Sequence, residues 1–147
     1  MAIKEVTPQQ AQDILTSDES AVYIDVRTEA EFANGHPQGA VNIPVAFPDR
    51  ARGMMVNSDF VRVVEANFPR EKKIILGCQA GPRSTSAANM LQQAGFQDVS
   101  NLLGGFGGMR DSTGKVSAPG WESSGLPVSN DAGEGMSYQS LSAKVRR

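Results

Sequence analysis

Residues 73–84 read KIILGCQAGPRS, and this stretch decides the fold. Lys73 to Gly77 is a compact apolar segment typical of a buried strand. Ser84 to Ala94 is predicted to form a helix of small residues, which Gly95 ends. A single short loop joins the two. This order of strand, loop and helix is the repeating unit of proteins that contain a parallel sheet.

The same alternation continues on both sides of this segment. Ala21 to Val26 predicts a strand, and Thr28 and Glu31 match a capping box that begins a short helix. Downstream, Gln97 to Leu103 predicts another strand, and Gly104 to Gly108 then breaks regular structure. We therefore predict an α/β fold with an open, doubly wound parallel sheet flanked by helices on both faces.

Two further helices are predicted from their N-caps. Thr7 is expected to cap a helix that runs to Leu15, with Pro8 at its first position. Ser58 is expected to cap a helix that ends at Phe68, because apolar residues recur there at helical spacing.

The 147-residue chain has room for one domain of ordinary size. Its 39% hydrophobic and 20% charged residues are typical of a soluble globular protein and exclude disordered, collagen-like and disulfide-dense classes. We place the domain at residues 5–129. Residues 111–119 are predicted to be a surface insertion, after which Trp121 and the segment 126–128 return to the core.

Residues 130–147 are predicted to form a polar C-terminal tail. The first part, 130–135, has the composition of a linker, and 137–147 is polar and could form a weak helix. Its basic residues are Lys144, Arg146 and Arg147. They could dock a partner, but we expect this tail to be solvated.

The charge balance restricts the partners. Fourteen Lys and Arg residues against sixteen Asp and Glu residues leave a net charge of −2, which provides no broad field for nucleic acid or an anionic membrane. No apolar run approaches the roughly 20 residues that span a bilayer, and the N-terminus has no export signal. We therefore predict a cytoplasmic monomer. With Cys78 and His36 as its only cysteine and histidine, we expect neither a metal nor a cofactor.

The loop after the strand 73–77 is the predicted chemical centre. Ligands of open α/β sheets bind beyond the carboxyl ends of the strands, where the next helix offers N–H groups and a positive dipole end. We expect the dipole and Arg83 to stabilise a Cys78 thiolate and so to make this cysteine a nucleophile. Gly81 permits a backbone that points successive N–H groups inward. We therefore expect an anion site around the Cys78 sulfur.

With these motifs the chain resembles the single-domain rhodanese (thiosulfate sulfurtransferase) family. Over roughly residues 5–129, matching segments follow the family's order and approximate spacing at 24–27, 31–32, 35–36, 39–44, 78–84, 95–96, 104–105 and 125–128. The resemblance implies a doubly wound parallel sheet and a two-step sulfur transfer. Cys78 would attack the sulfane sulfur of thiosulfate, release sulfite and hold a persulfide. A thiophilic acceptor would then remove the sulfur.

The resemblance also implies roles for the other site residues. Arg83 would bind the anionic end of the substrate, and the loop amides would stabilise the persulfide. The predicted substrate-binding residues are Gln79, Ala80, Gly81, Pro82, Arg83 and Ser84. Because the chain has one cysteine, an internal disulfide cannot resolve the persulfide, so the acceptor must be cyanide, a small thiol or a partner protein.

Three residues outside the loop are predicted to support it or its surroundings. Asp25 and Arg27 end a strand on the same side of the sheet as the loop, and we expect them to anchor it. His36 precedes Pro37 in a turn, and because a thiolate needs no general base, we expect a structural hydrogen bond there. The glycines 104–108 are expected to form a turn beside the loop.

Two other functions stay open. Cysteine phosphatases also place Cys and Arg at a helix N-terminus, but their spacing is Cys-x5-Arg, whereas this chain has Cys-x4-Arg, with Gly77 in place of the usual His. Rhodanese-like domains also occur as noncatalytic regulatory modules that lack the cysteine, which is present here. Within the family, mercaptopyruvate sulfurtransferases resemble a Cys-Gly-Ser/Thr-Gly loop, so Cys-Gln-Ala-Gly favours thiosulfate.

Overall fold

The computed structural model describes residues 3–51, 53–79, 82–131 and 135–145, with Pro82 described by its backbone alone. Strands and helices alternate through most of the chain, as the sequence predicts. In chain order the elements are β1 (Lys4–Val6), α1 (Pro8–Ser17), β2 (Val22–Asp25), α2 (Glu29–Ala33), β3 (His36–Pro37), β4 (Val41–Asn42), β5 (Ala46–Asp49), β6 (Gly53–Val56), α3 (Phe60–Asn67), β7 (Lys73–Gly77), α4 (Pro82–Gln93), β8 (Asp98–Leu102), β9 (Met109–Arg110), β10 (Val116–Ala118), β11 (Val128–Ser129) and α5 (Tyr138–Ser142).

The central sheet is parallel and has five strands in the order β1-β8-β7-β2-β4. After β2 the chain forms β4 on one side of β2. It then crosses to the other side of β2, where it forms β7 and, beside β7, β8. The direction of winding therefore changes between β2 and β7, whose last residues, Asp25 and Gly77, are in register. The carboxyl ends at such a point form the crevice where open α/β sheets bind ligands.

Successive residues of the central strands face two apolar layers on opposite sides of the sheet. Ile24 and Leu76 pack in a cluster with residues of α3, α4 and α5. Tyr23 and Ile75 pack in a second cluster with residues of α1 and α2 and with Trp121. This arrangement confirms the predicted doubly wound sheet with helices on both faces.

Side-chain caps set the beginnings of several helices. The capping box predicted at Thr28 and Glu31 is present. The predicted cap at Ser58 is wrong, because the N-cap of α3 is Asp59. The buried Asn57 turns the chain there, since its Oδ1 accepts a 3.0 Å hydrogen bond from the backbone N–H of Asp59. Helix α4 begins two residues before its predicted start, at a proline whose fixed φ suits the first helical position.

The antiparallel hairpin of β5 and β6 was not predicted from the sequence. Every residue of β6 is exposed, including Met54, Met55 and Val56. A strand without a buried face lacks the alternation of apolar and polar residues that marks half-buried strands. Hydrophobic periodicity therefore could not reveal it.

The predicted insertion at 111–119 lies at the surface, and β10 within it pairs antiparallel with β9, which comes just before it. Trp121 is buried, as predicted. The predicted return of 126–128 to the core is confirmed only for Leu126, which packs against the second cluster; Pro127 and Val128 are exposed. Val128 lies in β11, which pairs with the short strand β3 outside the central sheet.

Residues 135–145 contain the predicted short helix, α5, which packs against the domain, so the prediction of a solvated tail is wrong for this part, although Lys144 is exposed. Leu141 of α5 is buried, and its carbonyl oxygen accepts a 3.0 Å hydrogen bond from the Asn67 side chain. The backbone N–H of Asn42 in β4 donates a 2.8 Å hydrogen bond to the carbonyl oxygen of Met136. Burial of Leu141 holds this polar segment in place. Residues 146–147, the two terminal arginines, lie outside the described residues.

Candidate active site

The site begins at the adjacent carboxyl ends of β2 and β7. The backbone N–H of Val26 donates a 3.0 Å hydrogen bond to the carbonyl oxygen of Gly77, which continues the strand pairing one residue further. Cys78 follows directly, and its side chain is 1% exposed. At Gly77 a Cβ atom would overlap the hydroxyl group of Tyr23, so the residue before Cys78 has no room for a side chain.

Asp25 and Arg27 form the ion pair expected beside the loop. The Nε and Nη2 atoms of Arg27 donate hydrogen bonds of 3.0 and 2.7 Å to Oδ1 and Oδ2 of Asp25, and both side chains are buried. Burial opposes the charge on Arg27, but the hydrogen bond and charge of Asp25 outweigh it, so the pKa of Arg27 lies above its usual value. A bidentate geometry of this kind fixes the orientation of the guanidinium.

Arg27 extends from this ion pair to the loop of Cys78. Its Nη1 donates a 3.2 Å hydrogen bond to Oε1 of Gln79, and its Nη2 donates a 2.6 Å hydrogen bond to the carbonyl oxygen of Gly35. The guanidinium also lies 4.5 Å from the centre of the Phe106 ring. Arg27 therefore joins the end of β2 to three other segments of the chain.

Sequence reasoning missed Asn42 as a support of this ion pair. Its Nδ2 donates 3.0 Å hydrogen bonds to the carbonyl oxygens of Asp25 and Arg27. The side chain is buried, and a buried amide usually has hydrogen-bond partners. An asparagine inside a predicted strand was the only signal in the sequence, and it does not identify those partners.

The glycine-rich turn at 104–108 packs directly on the loop of Cys78, as expected. The backbone N–H of Phe106 donates a 2.7 Å hydrogen bond to the carbonyl oxygen of Cys78, and that of Gly107 donates a 2.8 Å hydrogen bond to Gln79. Gly105 has φ +60°, and a Cβ atom there would lie 2.5 Å from the carbonyl oxygen of Cys78. Glycine is therefore needed at 105 both for the backbone conformation and for the close approach.

Arg83 forms a bidentate ion pair with Glu31 on the other side of the site. Its Nη1 and Nη2 donate hydrogen bonds of 2.7 and 3.0 Å to the two carboxylate oxygens. The hydrogen bond from Arg83 is the largest influence on the Glu31 carboxyl, whose pKa is lowered to about 2, and hydrogen bonds from Thr28 add to it. Arg83 lies in the first turn of α4, where the helix dipole disfavours a cation, and Glu31 offsets that cost.

The contact between Glu31 and Arg83 was not predicted, because the sequence indicated only a capping role for Glu31. An arginine side chain has five N–H donors, and Glu31 accepts from two of those of Arg83. The guanidinium is partly exposed, at 25%. It can therefore contact a small anion without leaving Glu31.

Among the predicted loop residues, Ser84 has a side chain that contacts the Cys78 sulfur. Its Oγ lies 3.5 Å from the Cys78 sulfur, and its hydroxyl donates a hydrogen bond to Oδ1 of Asn101. The Nδ2 of Asn101 donates a 3.4 Å hydrogen bond to Oγ1 of Thr85. Sequence reasoning did not identify Asn101, which lies in β8, far from the loop along the chain.

Two predicted loop residues, Ala80 and Gly81, lie outside the described residues, and Pro82 is described only by its backbone. The predicted cradle of loop amides therefore stays a prediction. Gln79 lies within reach of Arg27 and the glycine-rich turn, as described above.

His36 has the hydrogen bond expected of a structural residue. Its Nδ1 lies 2.7 Å from the carbonyl oxygen of Phe32, and the two rings stack with their centres 3.6 Å apart. The side chain is fully buried. It holds α2 against the turn that follows that helix.

A family model described as a rhodanese-like domain matches residues 7–111. The chain belongs to the rhodanese-like family. The region that matches the model includes β2, the loop of Cys78 and the whole glycine-rich turn at 104–108. The family predicted from the residues is thereby confirmed.

Known relatives agree with this assignment. Thiosulfate sulfurtransferase 16, chloroplastic, from Arabidopsis thaliana is 39% identical over 107 residues, which cover 72% of this chain and 78% of that protein. Senescence-associated protein DIN1 from Raphanus sativus is 40% identical over 84 residues, and the chain spans only 45% of its length. The crystal structure of Rv0390 from M. tuberculosis superposes with a TM-score of 0.73 at 32% identity, covering 89% of this chain and all of that one.

These comparisons support a sulfurtransferase activity for this rhodanese-like domain in general terms. Within the described ranges, no helix has the length and apolar character required to cross a bilayer. The relatives of this domain include proteins named as chloroplastic and as mitochondrial, so a cytoplasmic location stays a prediction.

Proposed function

We propose that this rhodanese-like domain transfers sulfane sulfur from thiosulfate to a thiophilic acceptor through a persulfide on Cys78. The observation that carries the proposal is the position of Cys78. Its sulfur lies at the carboxyl end of β7, 3.5 Å from a serine hydroxyl and just before a helix whose first turn holds Arg83. A cysteine just before a helix N-terminus and near an arginine is suited to act as a thiolate nucleophile.

In the first step the Cys78 thiolate attacks the outer sulfur of thiosulfate. A new S–S bond forms to Cys78, and the S–S bond of thiosulfate breaks, so that sulfite leaves with the electron pair. The products are a cysteine persulfide anion and sulfite. No proton, metal or external oxidant takes part in this exchange once the thiolate has formed.

Arg83 is the residue suited to bind the sulfonate end of thiosulfate. Glu31 fixes the plane of its guanidinium through two hydrogen bonds and leaves further N–H donors available. Donors held in place before the reaction stabilise a leaving anion without a cost of reorganisation. We therefore assign Arg83 to the departing sulfite and Glu31 to the positioning of Arg83.

In the second step a thiophilic acceptor attacks the outer sulfur of the persulfide. With cyanide, a C–S bond forms, the persulfide S–S bond breaks, and the products are thiocyanate and the Cys78 thiolate. A small thiol or a thiol of a partner protein would accept the sulfur in the same way.

The geometry around Gly77 disfavours a cysteine phosphatase. Tyr23 occupies the space that a side chain before Cys78 would need, which leaves no position for the histidine typical of phosphatases. The Cys-x4-Arg spacing also forms a smaller loop than the phosphatase motif. The presence of Cys78 itself speaks against a purely noncatalytic module.

Intact mass spectrometry tests the proposal. Wild-type protein treated with thiosulfate in the absence of reducing agents should gain about 32 Da, the mass of one sulfur atom. Cyanide should remove that mass and produce thiocyanate. The variant Cys78→Ser is the matched control and should show neither change.

Failure to form the adduct would overturn thiosulfate as the donor. Turnover of mercaptopyruvate would then assign a different donor to the same cysteine. Hydrolysis of an aryl phosphate that Cys78→Ser abolishes would assign the phosphatase alternative.

A further inference from the structure

We infer that Asn101 is a positioning residue for Cys78 and acts through the hydroxyl group of Ser84. The inference rests on the proposed role of Cys78 as a thiolate nucleophile. It concerns how readily that thiolate forms, and not which sulfur donor it attacks.

Three buried side chains form a continuous row of polar contacts. The Cys78 thiol donates a 3.5 Å hydrogen bond to Oγ of Ser84, and the Ser84 hydroxyl donates to Oδ1 of Asn101. All three side chains are at most 4% exposed. In so dry an environment a hydrogen bond has a larger electrostatic effect than it has in water.

The serine hydroxyl has a single hydrogen to donate. In the structure Asn101 accepts that hydrogen, and Ser84 therefore turns a lone pair toward Cys78. This orientation matches a protonated thiol, which donates. It does not match a thiolate, which can only accept.

When the thiolate forms, the Ser84 hydroxyl group therefore rotates so that its hydrogen points to the Cys78 sulfur and no longer to Asn101. Asn101 competes with the Cys78 thiolate for the same hydrogen. The same hydroxyl can donate to the Cys78 sulfur when that sulfur becomes the leaving group in the acceptor step. Asn101 thus sets how much of the hydrogen-bonding capacity of Ser84 is available to the thiolate.

The fold holds Asn101 where this competition occurs. Asn101 is in register with Leu76 of β7 on one side and Glu5 of β1 on the other, so its backbone lies within the central sheet. Its Nδ2 donates to Oγ1 of Thr85, which directs Oδ1 toward Ser84. An acceptor fixed on a sheet strand is more rigid than one on a loop.

Other titratable groups lie around Cys78. Arg83 in α4 is electrostatically coupled to Cys78, and Tyr23 in β2 is a titratable group coupled to it. Asp25 and Arg27 lie at the adjoining strand end, and Glu31 is paired with Arg83. Substitutions at Asn101 and Ser84 leave all these groups in the protein. A comparison of the variants therefore isolates the effect of the Ser84 hydroxyl hydrogen on Cys78.

The test is the pH dependence of Cys78 alkylation by iodoacetamide, which needs no sulfur donor. The pH at which the rate reaches half its maximum is measured for wild type, Ser84→Ala, Asn101→Leu and the double variant. Ser84→Ala removes the donor and should raise this midpoint by about one pH unit, the effect of one hydrogen bond to a charged group. Asn101→Leu removes the competing acceptor and should lower it by about half a unit.

The double variant decides whether Asn101 acts through Ser84. In the Ser84→Ala background, Asn101→Leu should leave the midpoint unchanged, because the hydrogen for which it competes is absent. Ser84→Thr, which keeps the hydroxyl, should restore the wild-type midpoint. If Asn101→Leu does not fold, Asn101→Ala removes the same acceptor without adding bulk.

Two results would overturn the inference. One is an Asn101 variant whose midpoint stays at the wild-type pH or rises while its stability falls, since a merely structural residue would behave in that way. The other is an equal shift with and without Ser84. The thiosulfate adduct is a separate measurement, so failure of the proposed function and failure of this inference are distinguishable.

Discussion

The backbone N–H of Phe106 donates a 2.7 Å hydrogen bond to the carbonyl oxygen of Cys78. The turn that follows β8 therefore holds the loop that follows β7. Because the backbone makes this contact, it depends on how closely the two segments approach each other and not on the side chain at 106. The nearby Gly105 permits that approach.

Gly105→Ala should therefore damage the site more than a comparable substitution elsewhere. Gly105 and Gly114 both have positive φ, so alanine should cost about 1–2 kcal/mol of folding stability at either position. Only at Gly105 would the new Cβ also meet loop backbone, 2.5 Å from the Cys78 carbonyl oxygen, whereas Gly114 has open space around it.

Sulfur transfer should fall about 100-fold in Gly105→Ala, as expected for a misplaced reacting group, and stay near wild type in Gly114→Ala. Equal activities of the two variants, measured as thiocyanate formation, would contradict this account.

Glu31→Gln should destabilise the protein in a pH-dependent manner. The pKa of Glu31 is lowered from 4.5 to about 2, so its ion pair with Arg83 contributes fully above pH 4.5 and is lost as the pH falls toward 2. Because Glu31 is 33% exposed, solvent screening limits the contribution to about 1–2 kcal/mol.

Denaturant unfolding of wild type and Glu31→Gln between pH 2 and pH 7 measures this contribution. Glutamine also serves at this position of a capping box, so the helix cap is retained and the variants differ mainly in the ion pair. The stability difference should shrink as the pH is lowered. A difference that does not change with pH would show that the ion pair is not its source.

Arg27→Met should destabilise the domain by about 3–5 kcal/mol, because it leaves the buried Asp25 carboxylate without its partner. It should also reduce sulfur transfer, since Gln79 of the loop loses its contact with Arg27. Arg62→Met is the matched control, because Arg62 forms an exposed pair with Asp59 worth about 1 kcal/mol at most. Urea unfolding measures both variants, and similar losses would show that the buried pair has no special importance.

Leu141→Ala should destabilise the domain by about 2–5 kcal/mol, the cost of a buried leucine truncated to alanine. Leu103→Ala serves as the comparison, because Leu103 is 36% exposed and its truncation should cost far less. Both variants are measured by thermal and urea unfolding. A mild effect at Leu141 would mean that α5 contributes little to the stability of the fold.

The order of strands and helices was accessible from the sequence because it depends on local patterns. The apolar run at 73–77 and the capping box at Thr28 and Glu31 appear in the structure where they were predicted. Cys78, Asp25 and Arg27 each lie at or just after the end of a predicted strand. The sequence therefore also placed them together at the same end of the sheet. These predictions depend only on periodicity, capping and the geometry of parallel strands.

The errors have a common physical origin. Strand β6 is exposed on both faces and so has no hydrophobic period, and α5 is polar in composition yet buries Leu141. Composition describes a segment on its own, whereas the surface against which it packs comes from the rest of the chain. The prediction of a solvated tail failed for this reason.

The sequence by itself determined the alternation of strands and helices and the place of Cys78 between a strand and a helix N-terminus. Only the tertiary structure decided the partners of the site residues. Glu31 meets Arg83 from 52 residues away, and Asn101 meets Ser84 from 17 residues away on another strand. Hydrophobic periods and caps act over a few residues and set local conformation. Contacts across the crevice depend on strand order and register, which are fixed only when the whole sheet assembles.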